Sequence, residues 1–151
     1  MTPDEHCMVD TNVLIYSTVA GNPWHQHARN WLMALRDQGA VLCVSPQILR
    51  EYLVVLTHGQ VFEVHFTVEQ AVGAVEAFLP RLRVLDETDA TAASLRDLMR
   101  RYQVRGKHIH DANIVATMMT HGVSRLATYN QKDFDFSEVV LEPIPQPLSG
   151  A

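Results

Sequence analysis

Three carboxylates stand where a folded chain does not readily bury charge: Asp10, Glu51 and Asp111. Asp10 closes the short apolar segment Cys7-Met8-Val9 and opens the run Asp10-Thr11-Asn12-Val13-Leu14-Ile15. A continuous apolar segment of that length reads as a buried strand, and Asn12 to Tyr16 as the start of a helix. A carboxylate at such a junction lies at the carboxyl end of a strand, where open α/β sheets place their ligands. Converging carboxylates are tolerated beside a hard cation, in phosphate handling or against a strong polar partner. The chemistry implied is that of a metal-dependent enzyme.

Taken singly, each acid has a plainer reading. Asp10 can cap the helix that follows it, with Thr11 and Asn12 able to orient the carboxylate or a bound water. Glu51 falls within a helix from Gln47 to Thr57 whose apolar stripe is Ile48, Leu49, Tyr52, Val55 and Leu56. Three residues from Ile48 and four from Val55, it shares their face and would ordinarily be a surface residue at the edge of the core. Asp111 opens the run Asp111-Ala112-Asn113-Ile114-Val115-Ala116, where aspartate is favoured by capping and by the helix dipole. Thr128-Tyr129-Asn130-Gln131-Lys132-Asp133-Phe134 adds a polar cluster after a strand, readable also as a turn with Asn130 in a left-handed conformation.

The elements that must position these residues alternate along the whole length. Trp24 to Gln38 is expected to be a helix with Ala28, Trp31, Leu32 and Leu35 at helical spacing, closed by Gly39. Val41 to Val44 is a short apolar run suited to a strand buried on both faces. Ser45-Pro46 supplies an N-cap followed by proline at the first helical position. Thr67-Val68-Glu69-Gln70 matches a capping box and opens a helix ending near Pro80. Arg81 to Leu85 is a third strand candidate. A helix from Thr88 to Tyr102 follows, with Ala92, Leu95, Leu98 and Met99 as its stripe, then a helix from Asp111 to His121 closed by Gly122. Arg125 to Thr128 and Val139 to Leu141 are late strands. Gly59 to Phe66 joins two helices as a segment of undetermined shape. The expected organisation is one α/β domain over residues 1–142, a three-layer α/β/α arrangement with a central, mostly parallel sheet. A tail over 143–151, with Pro143, Pro145 and Pro147, cannot be helical and is expected to fray.

Length and composition agree with one domain. The 151 residues allow one real core, and 47% apolar with 19% charged residues is an ordinary globular balance. A net charge of −5 lacks the basic footprint of a passive nucleic-acid binder, though an acidic metal site contributes to that total and leaves a nuclease open. Cys7 and Cys43 lie in apolar segments and read as buried thiols in a reducing compartment. Met1-Thr2-Pro3-Asp4-Glu5 is polar and acidic, unlike a signal peptide, and no apolar run approaches the roughly 20 residues of a membrane span. The expectation is a cytoplasmic protein.

In their order and context, the four segments resemble the PIN-domain family, and within it the VapC-like toxin ribonucleases of bacterial toxin–antitoxin pairs. The resemblance rests on Val9-Asp10-Thr11-Asn12-Val13-Leu14-Ile15, Ile48-Leu49-Arg50-Glu51-Tyr52, His110-Asp111-Ala112-Asn113-Ile114-Val115-Ala116 and Ala127-Thr128-Tyr129-Asn130-Gln131-Lys132-Asp133-Phe134. It implies acids gathered over one sheet end around Mg²⁺ or Mn²⁺, with Asp10, Glu51 and Asp111 as the core set. The family's fourth position falls on Asn130, with Asp133 three residues later; asparagine there brings an oxygen but no charge. The resemblance also implies an RNA substrate, a homodimer and inhibition by a small cognate antitoxin.

Carboxylate and water oxygens suit Mg²⁺ or Mn²⁺, and such an ion can generate a hydroxide nucleophile for phosphodiester hydrolysis. Asp10 and Asp111 are expected as direct ligands, with Glu51 orienting water or serving a second site. Arg105, Lys107 and His108, just before Asp111, are candidate phosphate contacts. The pair His108 and His110 suggests zinc more weakly, since no cysteine is near. The chain has no Gly-x-Ser-x-Gly elbow and no phosphate-binding glycine loop, and Asn12 breaks the Asp-x-Asp pattern of an aspartate-nucleophile phosphatase. The alternative from another class is a catalytically silent module with the same fold that acts through a protein partner. For the homodimer and antitoxin contacts that the resemblance implies, Trp24, Trp31, Tyr52 and Phe62 are the large apolar groups available, most of them expected in the core.

Overall fold

Strand β1 (His6–Val9) is buried at every residue, which fits a strand with neighbours on both edges and helices on both faces. The computed structural model describes residues 5–147. β1 pairs in parallel with β2 (Val41–Val44) on one side and with β6 (Arg125–Ala127) on the other. β5 (Arg83–Val84) and β7 (Val140–Leu141) complete the sheet at its edges, giving the order β5-β2-β1-β6-β7 with every pairing parallel. The two edge strands are two residues long and partly exposed, which limits the unpaired edge offered to another chain.

The connections fix where a ligand can sit. From β1 the chain steps outward to β2 and β5, then returns to the far side of β1 for β6 and β7. Parallel crossovers are right-handed, so this reversal puts the earlier and later helices on opposite faces. The packing agrees: α1 (Thr11–Thr18) contacts α2 (His25–Asp37) and α3 (Pro46–Thr57), α3 contacts α4 (Val68–Phe78), and α5 (Asp89–Tyr102) packs on α6 (His108–Thr120). The reversal also opens a crevice at the carboxyl ends of β1 and β6, the position where such sheets bind ligands.

Local chemistry explains most boundaries. Ser45 caps α3 by accepting from the Ile48 N–H, with Pro46 at the first turn. Thr67 and Gln70 form the expected capping box of α4. The segment Gly59 to Phe66 is an antiparallel hairpin, β3 (Gln60–Val61) and β4 (Val64–His65). Its turn residues Phe62 and Glu63 both have positive φ, 49° and 64°, the pattern of a two-residue hairpin turn that matches strand twist.

Three expectations needed correction. α6 begins at His108 rather than Asp111, because Gly106 at φ +62° lets the chain turn early and the His110 N–H bonds back to the Lys107 carbonyl. Asp111 is therefore in the first turn and not the cap. On α5 the inward residues are Thr91 and Leu98, and Ala92 is exposed; the Thr91 hydroxyl accepts from the Thr88 N–H at the helix start, which holds it inside. On α3, Val55 is 38% exposed because it faces the crevice rather than the core. Beyond β7 the chain has no regular secondary structure through residue 147, yet Ile144 packs against the core and the Pro145 carbonyl lies 2.8 Å from His27 Nε2. Residues 148–151 of the expected tail lie outside the described residues.

Candidate active site

Asp10 follows β1 directly and serves as the N-cap of α1. Its Oδ1 accepts from the Thr11 N–H at 2.8 Å, while Oδ2 accepts from the Thr128 hydroxyl at 2.8 Å and from Asn12 Nδ2 at 3.2 Å. One oxygen thus serves the helix cap, and the other is held by the Thr128 hydroxyl and the Asn12 amide. Asn12 also accepts from the Tyr129 N–H at 3.1 Å, tying the start of α1 to the segment that leaves β6. Thr128, fully buried, accepts in turn from the Asn130 N–H at 3.0 Å.

Glu51 enters from α3 and is fixed at both oxygens. Oε2 accepts from the Thr11 hydroxyl at 2.9 Å and Oε1 from Gln47 Nε2 at 2.8 Å. Thr11 therefore joins two acids, its amide serving Asp10 and its hydroxyl Glu51. Gln47, one turn before Glu51 and almost wholly buried, also donates to the His110 carbonyl at 2.8 Å, and its own oxygen accepts from Asn113 Nδ2 at 2.7 Å. Asn113 reaches on to Glu87 at 2.7 Å. Sequence reasoning missed this Gln47–Asn113–Glu87 chain. The one signal it offered was Gln47 four residues before Glu51, the spacing at which helical side chains meet.

Asp10, Thr11, Asn12, Glu51, Asp111 and Asn130 line one pocket of about 390 Å³, with Ile15, Tyr16, Val55 and Phe62 as its apolar part. The structure thus brings together the three predicted acids and Asn130. Asp133 is not part of the lining; it sits in a 3₁₀ turn (Gln131–Asp133) close enough to raise the pKa of Asp111. Asn130 has φ −97° and so is not in the left-handed conformation of the simple-turn reading. His108 Nδ1 lies 3.5 Å from Asp111 Oδ2. Arg105 and Lys107 are exposed on the turn leading into α6 and do not line the pocket. Trp31 and Tyr52 are core residues, whereas Trp24 and Phe62 are 41% and 43% exposed.

The electrostatics are those of carboxylates withdrawn from water, with like charges nearby adding to the effect. Burial pushes the Asp10 pKa up to about 6, and the charges of Glu51 and Asp111 push the same way against the hydrogen bonds from Thr128 and Thr11. Asp111 is also raised, by burial first and by Asp133 and Glu51 in addition, with His108 opposing. The donor set is all oxygen, as a hard divalent cation prefers. Among the described residues no group of three or more His, Cys, Asp or Glu side chains is placed to hold a metal ion together. An ion that keeps several waters and binds through one or two carboxylates, as Mg²⁺ does, fits this arrangement; a tetrahedral zinc site does not. The two thiols are free and buried, with pKa values pushed up by burial to about 12 for Cys7 and about 11 for Cys43, so they take no part.

Comparison with known proteins bears on the whole fold. The PIN domain family model matches residues 7–140. The chain belongs to the PIN-domain family. Within it, the chain is 31% identical over 144 residues to ribonuclease VapC48 of Mycobacterium tuberculosis, covering 93% of this chain and 97% of that protein. Among solved structures of the same fold, VapBC2 from Rickettsia felis bound to a promoter DNA fragment aligns with a TM-score of 0.67 and 19% identity, over 91% of this chain and 97% of the other. VapC20 of Mycobacterium tuberculosis, described as a sarcin-ricin loop cleaving toxin, aligns at 0.65 and 20% identity over 88% and 98%. A toxin–antitoxin complex from Klebsiella pneumoniae aligns at 0.63 and 24% over 89% and 95%. This PIN domain has, among its described residues, no helix long and apolar enough to cross a membrane.

Proposed function

We propose that this PIN domain is a metal-dependent endoribonuclease, the toxin of a toxin–antitoxin pair. The observation that carries the reading is the convergence of Asp10, Glu51, Asp111 and Asn130 on one pocket over the carboxyl ends of β1 and β6. The 31% identity to a ribonuclease across nearly the full length of both chains supports it. A Mg²⁺ or Mn²⁺ ion bound there supplies Lewis acidity and lowers the pKa of water for phosphodiester hydrolysis.

The roles of the side chains follow from how each is held. Asp10 and Asp111 would hold the ion. Asp10 is oriented by Thr128, Asn12 and the Thr11 amide. Glu51 is turned into the pocket by Thr11 and Gln47, where it would orient the attacking water or a second ion. Asn130 adds a neutral oxygen, and Asp133 tunes Asp111 from behind. His108, Arg105 and Lys107 flank the approach along the start of α6 and attract the phosphates of RNA. The structural neighbours solved as toxin–antitoxin complexes support a small protein inhibitor, and the family resemblance supports a homodimer in the cytoplasm.

Purified protein incubated with a varied RNA pool tests the reading. Cleavage that requires Mg²⁺ or Mn²⁺ and stops in EDTA is expected; equal cleavage with and without EDTA rules out the mechanism. Light scattering that finds a monomer at micromolar concentration removes the dimer, and failure of any small neighbouring gene product to co-purify counts against the antitoxin.

A further inference from the structure

The pocket that holds the acids has a second wall that acid chemistry does not use. Tyr16 and Phe62 line it beside Asp10, Glu51 and Asp111. Their rings lie 5.8 Å apart at 54°, and Tyr16 is backed by Tyr129 at 5.3 Å in an edge-on contact. Behind these, Tyr129 meets Trp31 at 5.1 Å and Trp24 at 5.5 Å. Tyr16 is anchored through its backbone as well, its carbonyl accepting from Asn22 Nδ2 at 3.2 Å and lying 2.9 Å from His25 Nδ1. The wall is therefore a fixed aromatic platform whose outermost ring, Phe62, is 43% exposed.

The position of Phe62 is maintained against local preference. A two-residue hairpin turn with both φ values positive strongly favours Asn-Gly or Asp-Gly, and a bulky residue in that conformation is costly. Here the turn is Phe62-Glu63. The hairpin thus spends conformational energy to hold an aromatic ring at the mouth of the acid pocket. Glu63, exposed beside it, adds no attraction for phosphate, and the chain is net negative. Binding at this wall must come from the ring faces.

We propose that Phe62 and Tyr16 form a base-stacking subsite that takes an unpaired nucleobase of single-stranded RNA next to the phosphate handled by the acids. The inference rests on the nuclease reading and adds to it the form of RNA accepted. Stacking on an aromatic side chain is tolerant of base identity and demands that the base be unstacked from its neighbours. The pocket volume of about 390 Å³ lies in the range that accommodates one small-molecule-sized group. A paired, stacked duplex cannot present a base face to Phe62, so loops and single strands are the substrates.

The test uses the full-length protein with Ca²⁺ and two labelled probes of equal length and charge: an oligouridylate and a chain of abasic tetrahydrofuran phosphates. Anisotropy is expected to show the base-carrying probe binding on the order of tenfold tighter. Phe62→Leu, which keeps apolar bulk without a ring, removes that preference, and Phe62→Tyr retains it. KM for single-stranded RNA cleavage with Mn²⁺ rises by a similar factor in Phe62→Leu, with circular dichroism unchanged. Equal binding of both probes by the native protein, or a preference that survives Phe62→Leu, overturns the inference. If the native protein cleaves RNA but shows either of those results, the nuclease reading stands and the stacking subsite alone falls. If it cleaves no RNA and binds neither probe, both fall together.

Discussion

The β1 side of the pocket and the α6 side are built differently. On the β1 side, Asp10 accepts three hydrogen bonds and Glu51 two, from donors on α1, α3 and the β6 exit. On the α6 side, Asp111 has, among the described residues, a single 3.5 Å contact with a half-exposed His108. The first half is set before any ligand arrives; the second can adjust. Such a division suits an ion that holds most of its water, since one rigid carboxylate locates it and looser groups adapt to the substrate. Burial of the rigid side has an electrostatic cost, visible in the pKa of Asp10, which stays raised despite the hydrogen bonds from Thr128 and Thr11.

Substitutions on the rigid side should be felt most. Asp10→Asn is expected to lower the cleavage rate by more than about 100-fold, exceeding the 10–100-fold typical of outer-shell groups, and to abolish Mn²⁺ binding. Asp111→Asn should follow closely in rate; if it exceeds Asp10→Asn in both rate and affinity, the rigid half is not the one that locates the ion.

The electrostatic cost can be read without substrate. Asp10 holds its proton to about pH 6 when folded, against 3.8 for the unperturbed group. Between those values the folded protein binds more protons than the unfolded chain, so stability falls as pH rises through the interval. A shift of about two units corresponds to about 2–3 kcal/mol, and Asp111 shifts in the same direction. In EDTA the melting temperature should therefore be several degrees higher at pH 5 than at pH 7, and Mn²⁺ at pH 7 should restore the difference. A metal-free melting temperature that rises from pH 5 to pH 7 contradicts the raised pKa that burial gives Asp10.

The braces can be removed one at a time. Gln47→Ala and Thr11→Val each take one donor from Glu51 while leaving the Thr11 amide on Asp10. Each should reduce the cleavage rate by about 10–100-fold with Mn²⁺ affinity little changed, measured by calorimetry beside the rate. Equal losses in affinity and rate would show that Glu51 is itself a primary ligand. Asn130→Ala, which removes an exposed neutral oxygen, should cost least, within about tenfold in rate.

Much of this arrangement was legible in the sequence. The apolar runs at residues 7–9 and 41–44 mark buried strands because parallel strands covered on both faces carry little else, and Asp10 stands out at the end of the first. Ser45-Pro46 and the capping box at Thr67 mark helix starts because those residues satisfy exposed amides. The start of α6 was hidden: Arg105-Gly106-Lys107-His108 offers no side-chain cap, and the turn depends on Gly106 alone. The hairpin was hidden because Phe62-Glu63 is a poor turn pair by local preference. Gln47, Asn113 and Glu87 were not foreseen because their link joins residues up to 66 apart in the chain, and a buried amide on a helix carries no local mark of its partner.

The most direct test of the account couples metal binding to cleavage in one titration. Chelated native protein and Asp10→Asn are titrated with Mn²⁺ by calorimetry, and the same samples are assayed on single-stranded RNA at each Mn²⁺ concentration. The account predicts that cleavage by the native protein rises in step with Mn²⁺ occupancy, and that Asp10→Asn shows neither binding nor cleavage. Cleavage before any Mn²⁺ is bound, or cleavage by Asp10→Asn at the native rate, would contradict it.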